Sequence, residues 1–252
     1  MNEQLKNQTV GTNKQNNFVL ISVHNGKIFK KYKMVNEITE LKKKKINFRR
    51  YFNTLENIGI PLAETKIKII ERKTKKSGVV GRFCFVQKRG VPLEGVFRRK
   101  SKDEVLKLYS QLLIFSLKIW RKDRFRTVFL DSKLENWIFI DKQIRFVDFW
   151  PPFIRGSEGL DIACNALLYR FVQETRYSPL GSVLPLLHSA IKTRPELKKN
   201  FFNITTEMMC SNGLNKNLVF EYYRYCFFRI VLYLTKRLRV AKKACFNSSL
   251  LS

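Results

Sequence analysis

Hydrophobic and polar positions in the first third of the chain follow a pattern typical of β-strands. The runs FVLISVH and IFKKYK lie on either side of Asn25-Gly26, a pair that favours a tight hairpin turn. The segments 66–72 and 79–89 form a second pair of β-prone runs, separated by the polar sequence KTKKSG. The pattern therefore predicts two β-hairpins.

Between the two hairpins the spacing of apolar residues changes to the period of a helix. Apolar residues recur every three or four positions over 35–58, which predicts an amphipathic helix with lysines on its outer face. Gly59 stands where a helix C-terminal glycine is expected, and Pro61 follows it. Further along, the segment 89–95, RGVPLEG, has the composition of a linker, and a second helix is predicted over 102–120.

The remaining sequence predicts a third hairpin and then helices. The runs WIFI and IRFV are short strands around the turn 141–143. After Pro152 the apolar spacing is helical in ACNALLYRFVQ, LPLLHSAI and NLVFEYYRYCFFRIVLYLTKRLRV. This order predicts an α+β protein, with a small antiparallel-sheet lobe carrying one helix over 1–92 and a larger, mostly helical lobe over 93–252.

Composition adds a strong positive charge to this expected fold. The 252 residues include 49 Lys and Arg against 20 Asp and Glu, which gives a net charge of +29. Such a surface attracts polyanions, including nucleotides, nucleic acid and anionic membrane headgroups. The lysines also accompany many Asn, Ile and Phe residues, a bias that AT-rich coding produces without selection for a basic face. Both interpretations of the charge stay open.

Cysteine and histidine offer little material for metal or disulfide chemistry. The five cysteines are scattered without a C-x-x-C pair, which argues against a disulfide framework and a zinc site. The two histidines, His24 and His188, are far apart in the sequence. The N-terminus has no apolar signal-peptide run, and no stretch reaches about 18 uninterrupted apolar residues. We therefore expect a soluble, cytoplasmic protein without a transmembrane segment.

Three polar side chains surround the third predicted hairpin. Asp131 and Asn136 precede its first strand, and Asp148 follows its second strand. Because a hairpin folds back on itself, Asn136 and Asp148 are expected to be neighbours at its open end. A carboxylate and an amide oxygen placed in this way can hold Mg²⁺, which prefers hard oxygen ligands. Asp131, in the loop before, can accept a hydroxyl proton or orient a nucleophile.

These residues resemble motifs of the protein-kinase-like superfamily, which includes aminoglycoside phosphotransferases and other small-molecule phosphotransferases. The hexapeptide DSKLEN, which begins at Asp131, is similar to the catalytic loop D-x-K-x-x-N, and VDF is similar to the D-F of the metal-binding D-F-G. The resemblance implies that Asp131 is the catalytic base and that Lys133 contacts the transferred phosphate. It also implies that Asn136 and Asp148 are Mg²⁺ ligands. By element order the similarity extends over 18–155.

The same resemblance implies how ATP is held. The hairpin NGKIFKKYK is similar to the one that carries the ATP-phosphate lysine, for which Lys30 is the candidate among several neighbouring lysines. The run FVQKRGVPL resembles the fifth strand and the hinge, where backbone groups around Gln87 and Arg89 would hold the adenine. The resemblance makes 1–92 the nucleotide-binding lobe and 93–252 the catalytic lobe of one bilobal kinase-like domain.

The chain departs from the kinase pattern at several positions. Phe129 and Leu130 replace the His and Arg of H-R-D, which argues against activation-loop control through that arginine. A tryptophan replaces the glycine of D-F-G, and no G-x-G-x-x-G loop is present. The acidic partner of Lys30 is not identified, since Glu37 and Glu40 lie a few turns before the expected position.

Two classes of function follow from these observations. The first is an ATP- and Mg²⁺-dependent phosphotransferase that acts on a hydroxyl group of an unidentified acceptor. The positive charge favours an anionic or phosphorylated acceptor over a polycationic aminoglycoside. The second is a non-catalytic, pseudokinase-type basic adaptor that binds nucleic acid or another polyanion. In that case Asp131, Asn136 and Asp148 are ordinary turn residues, since Asp and Asn favour turns.

The C-terminal run NLVFEYYRYCFFRIVLYL also has two interpretations. Its spacing predicts a core helix of the second lobe. Membrane contact is the alternative, although Glu221, Arg224 and Arg229 interrupt the apolar run.

Overall fold

A computed structural model gives the fold of the chain over 18–32, 38–74, 78–123, 126–148, 154–155, 173–231 and 233. Over these residues the protein is an α+β structure with two antiparallel sheets. The sequence-based prediction of the α+β class is therefore confirmed.

The first sheet contains two hairpins, as the alternation of apolar residues predicts. Its strands are β1 (Phe18–His24), β2 (Lys27–Tyr32), β3 (Thr65–Thr74) and β4 (Gly78–Lys88). They are arranged in the order β1-β2-β4-β3, and every neighbouring pair is antiparallel. Asn25 and Gly26 form the first turn with φ angles of 47° and 67°. This backbone matches the twist of a hairpin, and Asn-Gly adopts it at little cost.

Helix α1 (Ile38–Ile58) packs against β4 of the first sheet. The ring of Phe48 lies 5.2 Å from that of Phe85, measured between centroids, and Tyr51 is completely buried. The helix is followed by Gly59, whose φ of 86° is the left-handed conformation favoured by glycine at a helix C-terminus. The predicted helix and its terminating glycine are both confirmed.

The segment 89–95 is not the linker that the sequence predicts. Val91–Pro92 forms a short strand, β5, and helix α2 (Leu93–Arg99) follows directly. Close packing leaves no room for a side chain at Gly90, since a Cβ at this position would lie 2.6 Å from Cγ1 of Ile140. Helix α2 buries only two side chains, too few to produce a recognisable helical period.

The second sheet has three strands and contains the third predicted hairpin. Strand β5 pairs with β6 (Trp137–Ile140), which pairs in turn with β7 (Gln143–Phe146). Asp141 and Lys142 form the β6–β7 turn with φ angles of 49° and 61°. The chain passes from the first sheet to the second between β4 and β5, beside the predicted lobe boundary after residue 92.

Helices form most of the described residues that lie after α2 and outside the second sheet. The four longest are α3 (Lys102–Lys122), α4 (Leu184–Thr193), α5 (Lys198–Cys210) and α6, which spans 218–231. Helix α3 begins with a capping box, in which Ser101 and Glu104 each bond the backbone N–H of the other. The predicted helix ACNALLYRFVQ lies outside the described residues. None of the helices in the described ranges is long and apolar enough to cross a membrane.

The hydrophobic pattern did not predict α5, and the reason is a polar residue in the middle of its buried face. Phe201, Thr205 and Met209 are the buried residues of this helix. The hydroxyl group of Thr205 lies 2.6 Å from the hydroxyl oxygen of Tyr109 on α3, and both side chains are completely buried. This hydrogen bond satisfies a threonine that interrupts the apolar spacing.

The two sheets are joined where the chain leaves α1. The N–H of Ala63 donates to the carbonyl oxygen of Phe146 at 2.9 Å, and the N–H of Phe146 donates to the carbonyl oxygen of Pro61 at 2.8 Å. Elsewhere along the junction, Lys88 Nζ lies 2.6 Å from Oδ2 of Asp141. These bonds attach β7 to the segment between α1 and β3, and they attach the β6–β7 turn to β4 of the first sheet.

Tyr51 links α1 to the loop that follows α3, and its removal tests this packing. Its hydroxyl group donates to the carbonyl oxygen of Phe129 at 2.9 Å in a buried environment. We expect Tyr51→Phe to lower the free energy of unfolding by about 1–3 kcal/mol, because a buried donor to that carbonyl is lost. Urea denaturation measures the change. Tyr223→Phe is the control, since Tyr223 is exposed on α6. Equal losses for the two variants would contradict the prediction.

Candidate functional site

The chain enters the candidate site along a path defined by buried hydrogen bonds. Asp123, which follows α3, accepts from the N–H of Val128 through Oδ2 at 2.8 Å. The N–H of Leu130 donates to Oγ of Ser182 at 3.1 Å. Buried backbone groups require partners, so Asp123 and Ser182 determine the course of the loop immediately before Asp131.

The next residues of the loop are anchored to α4 and to β6. The N–H of Leu134 donates to Oγ of Ser189 on α4 at 3.0 Å. The indole N–H of Trp137 donates to the carbonyl oxygen of Ser132 at 3.1 Å. The side chains of Ser132, Leu134 and Trp137 are completely buried. The loop is therefore held on both sides of the position that Lys133 occupies.

Asp131 and Lys133 are paired between these anchors. Nζ of Lys133 lies 2.6 Å from Oδ2 of Asp131, and the two side chains are 27% and 15% exposed, respectively. The amide Nδ2 of Asn136 donates to the backbone carbonyl oxygen of Asp131 at 2.7 Å. Because Nδ2 is committed to that bond, the amide oxygen of Asn136 remains as the atom that can bind a cation. The three residues of the DSKLEN motif named above are thus in mutual contact.

Asn136 and Asp148 lie at the open end of the β6–β7 hairpin. The N–H of Val147 donates to the carbonyl oxygen of Asn136 at 3.0 Å. Asp148 directly follows Val147 and is partly buried. The fold of the hairpin thus brings the amide of Asn136 and the carboxylate of Asp148 to the same end of the second sheet.

Two side chains of the first sheet contact Val147 at this end of the hairpin. Nζ of Lys30 donates to the carbonyl oxygen of Val147 at 3.3 Å, and Nε2 of Gln87 donates to the same oxygen at 3.0 Å. Gln87 also donates to Oγ1 of Thr65 at 2.9 Å. Lys27, by contrast, is exposed beside the hairpin turn. The structure thus distinguishes Lys30 from a neighbouring lysine of similar sequence context.

Gln87 and Arg89 have surroundings that differ from those implied by the resemblance. The backbone of Gln87 lies within the sheet, opposite Ile28 and Thr65, and its side chain rather than its backbone points to the site. Arg89 is exposed, and its backbone N–H donates to the carbonyl oxygen of Gly26 at 2.8 Å. The N–H of Arg89 is therefore already used in a hydrogen bond within the protein. Arg89 takes no part in the contacts described above for the other predicted site residues.

Lys30 and Asp148 are coupled electrostatically across the junction of the two sheets. Burial lowers the pKa of Lys30, and the nearby carboxylate of Asp148 opposes this effect. Phe48 of α1 packs on the sheet through its aromatic ring. The side chains of Glu37 and Glu40 lie outside the described part of the chain. Asp148 is thus an acidic group near Lys30 that the sequence did not identify.

The donor set at the hairpin end fits Mg²⁺ better than a softer metal. Within the described ranges no group of three or more His, Cys, Asp or Glu side chains is placed to hold a metal ion. A cation here would have Asp148 and the amide oxygen of Asn136 as protein ligands. Mg²⁺ accepts such a small protein contribution because it retains waters and substrate phosphates as its other ligands.

Sequence reasoning missed a polar cluster beside the loop. His188 on α4 directly precedes Ser189, the residue that anchors Leu134. Its Nδ1 lies 3.4 Å from the hydroxyl oxygen of Tyr222 and 3.7 Å from Sγ of Cys226, both on α6. The spacing of four between Tyr222 and Cys226 places both on one side of a helix, which is the sequence signal that could have indicated this cluster.

The environment of His188 favours its neutral form. Burial lowers the pKa of His188 from 6.5 to about 4, and the charges of Arg229, Lys192 and Lys133 add to this effect. Lys133 therefore lies close enough to α4 for its charge to affect His188. This is consistent with the hydrogen bond between Leu134 of the loop and Ser189 of α4.

Fold and geometry together define an α+β protein in which Lys30, Gln87 and Val147 meet at the junction of two antiparallel sheets. By sequence the chain belongs to DUF6206, a family of unknown function, which it matches over residues 22–225. This range contains all of the predicted site residues and ends within α6. No curated protein matches the chain.

The half-buried position of His188, close to three basic side chains, predicts a loss of stability in acid. Between pH 6.5 and 4 the unfolded chain binds a proton at this residue that the folded protein does not. The free energy of unfolding therefore falls as the pH falls through this window, by about 1–3 kcal/mol from this group. We expect His188→Gln to remove that part of the loss, as measured by urea denaturation across the pH range.

The only other histidine in the sequence supplies a matched control for this prediction. His24 is exposed at the end of β1, and His24→Gln is expected to leave the acid-dependent loss unchanged. If His188→Gln loses as much stability in acid as the wild-type protein, the assignment to His188 is wrong.

Proposed function

We propose that the protein is an ATP- and Mg²⁺-dependent phosphotransferase with a bilobal kinase-like fold. The observation that carries this proposal is the contact between side chains of the first sheet and the backbone of Val147 at the end of the second sheet. Lys30 and Gln87 donate to its carbonyl oxygen, its N–H donates to the backbone carbonyl of Asn136, and Asp148 directly follows it. A partly buried lysine, an amide and a carboxylate at one junction are groups that kinases use in phosphoryl transfer.

The element order supports the two-lobe arrangement. The first lobe would consist of β1 to β4 with α1, and the second of β5 to β7 with α2 to α6. The chain crosses between the sheets once among the described residues, between β4 and β5. The nucleotide would lie in the space between these lobes.

The residues at the junction have distinct parts in nucleotide binding. Asp148 and the amide oxygen of Asn136 would hold Mg²⁺, and Lys30 would contact the phosphates. Bound Mg²⁺ supplies positive charge that stabilises the developing charge on the transferred group. The ion pair between Lys133 and Asp131 leaves Oδ1 of Asp131 for the acceptor.

Asp131 would act on the hydroxyl group of the acceptor. The acceptor oxygen forms a bond to the γ-phosphorus of ATP while the bond to the bridging oxygen of ADP breaks, and the hydroxyl proton passes to the carboxylate of Asp131. The net charge of +29 favours an acceptor that is itself anionic.

Two aspartate variants separate nucleotide binding from chemistry. Asp131→Asn is expected to retain Mg²⁺·ATP affinity and to slow Mg²⁺-dependent ATP hydrolysis, with water as the acceptor, by about 10²–10⁴-fold. Asp148→Asn is expected to lose both, because it removes the anionic ligand of the metal. Calorimetry measures binding, and phosphate release measures hydrolysis. Asp141→Asn is the control, since Asp141 is exposed in the β6–β7 turn of the same hairpin.

The melting temperature of each variant distinguishes chemistry from folding. We expect all three to melt near the wild-type temperature. Absence of wild-type binding at millimolar ATP would reject the proposal. Unfolding of both Asp131→Asn and Asp148→Asn would instead identify these residues as turn-forming groups.

A second candidate function is a non-catalytic basic adaptor that binds nucleic acid. The ion pair of 2.6 Å between Lys133 and Asp131 favours this candidate, because the pair gives the Asp131 carboxylate a structural role in the loop. This candidate predicts RNA binding that weakens steeply with salt and persists in an Asp131→Ala, Asp148→Ala double variant. Titration of labelled RNA over a range of salt concentrations measures it, and no binding at about 150 mM salt removes the candidate.

A further inference from the structure

Helix α6 has two apolar faces with opposite environments. One face belongs to the hydrophobic core and consists of Leu218, Tyr222, Tyr225 and Phe228. The other face is exposed to solvent. The prediction of a core helix is therefore confirmed for one face only, and the second face requires a separate explanation.

The exposed face carries a row of large apolar side chains, here named the α6 stripe: Phe220, Tyr223, Phe227 and Ile230. These side chains are between 57% and 63% exposed. Their spacing of three, four and three residues places them along one side of the helix. Single exposed apolar residues are common on protein surfaces, but a contiguous row of this kind marks an interaction surface.

The charge of the surrounding sequence selects the class of partner. From Tyr222 to Ser252 the sequence contains no Asp or Glu. The same segment contains seven basic residues, namely Arg224, Arg229, Lys236, Arg237, Arg239, Lys242 and Lys243. Exposed apolar residues on a helix, with basic residues close by in the sequence, are the combination that binds an anionic membrane surface.

The total charge argues against a second copy of the chain as the occupant of the stripe. Each copy carries +29, so two copies would bring like charges together around an apolar contact. None of the described helices can cross a membrane, so α6 would lie on the surface and not span it.

We propose that the α6 stripe docks the protein on an anionic lipid surface. The aromatic and aliphatic side chains enter the boundary between headgroups and acyl chains, and the basic residues contact the lipid phosphates. This proposal is independent of the phosphotransferase activity, since it uses the outer face of α6 and none of the residues at the junction of the sheets.

Vesicle sedimentation with the full chain tests the proposal. The probes are vesicles of phosphatidylcholine alone and vesicles of phosphatidylcholine mixed equally with phosphatidylglycerol. We expect the wild-type protein to bind the mixed vesicles far more tightly than the neutral ones. A Phe220→Ser, Phe227→Ser double variant should lose affinity for the mixed vesicles by about tenfold or more, because the apolar area that enters the bilayer is removed.

The matched control removes two exposed apolar side chains elsewhere on the protein. Ile46 on α1 is 66% exposed and Ile114 on α3 is 46% exposed, and an Ile46→Ser, Ile114→Ser double variant should bind as the wild type does. Equal losses for the two double variants would overturn the proposal. Equal binding of the wild type to neutral and anionic vesicles would also overturn it.

A conservative variant keeps the test decisive if the serine variant does not fold. Phe227→Trp retains the apolar surface, and its added fluorescence should shift to shorter wavelength on mixed vesicles. Absence of that shift would overturn the proposal. Analytical ultracentrifugation gives a further check, since a wild-type dimer that the Phe220→Ser, Phe227→Ser variant converts to a monomer would identify a second copy of the chain as the occupant.

Discussion

A single backbone position, Val147, connects the parts of this protein that form the candidate site. Its carbonyl oxygen accepts from Lys30 and Gln87 of the first sheet, and its N–H donates to the loop at Asn136. Both polar groups of one residue are thus used to join three separate segments. Because buried backbone groups require partners, this arrangement restricts where β7 can end. Asp148 follows directly, so its position depends on these bonds.

Acidic residues are scarce in this protein, and two of them lie close to lysines of the candidate site. In a chain with 49 basic and 20 acidic residues, Asp131 lies against Lys133, and Asp148 lies within electrostatic reach of Lys30. Burial disfavours the charged form of Lys30, and the carbonyl of Val147 and the carboxylate of Asp148 offset part of that cost. Phosphate groups bound at the junction would supply further negative charge of the kind that the protein itself provides sparingly.

Helices α4 and α6 serve both the site and the surface of the protein. Ser189 on α4 anchors the loop at Leu134, and the adjacent His188 contacts the inner face of α6. The outer face of α6 carries the stripe of exposed apolar side chains. The contacts of Ser189 and His188 therefore connect the candidate site to α6, whose outer face we propose to bind lipid. The candidate site and the α6 stripe share no residues.

The sequence by itself determined the local structure. Alternating apolar residues, Asn25-Gly26 and Gly59 were sufficient for the hairpins, for α1 and for the α+β class, because these signals depend on residues close together in the chain. Proximity of Asn136 and Asp148 was also predictable, since a hairpin joins its own ends. Only the tertiary structure decided that Lys30 is the lysine at the junction, that Gln87 uses its side chain, and that α6 exposes one apolar face. These features depend on contacts between residues distant in sequence, which periodicity does not encode.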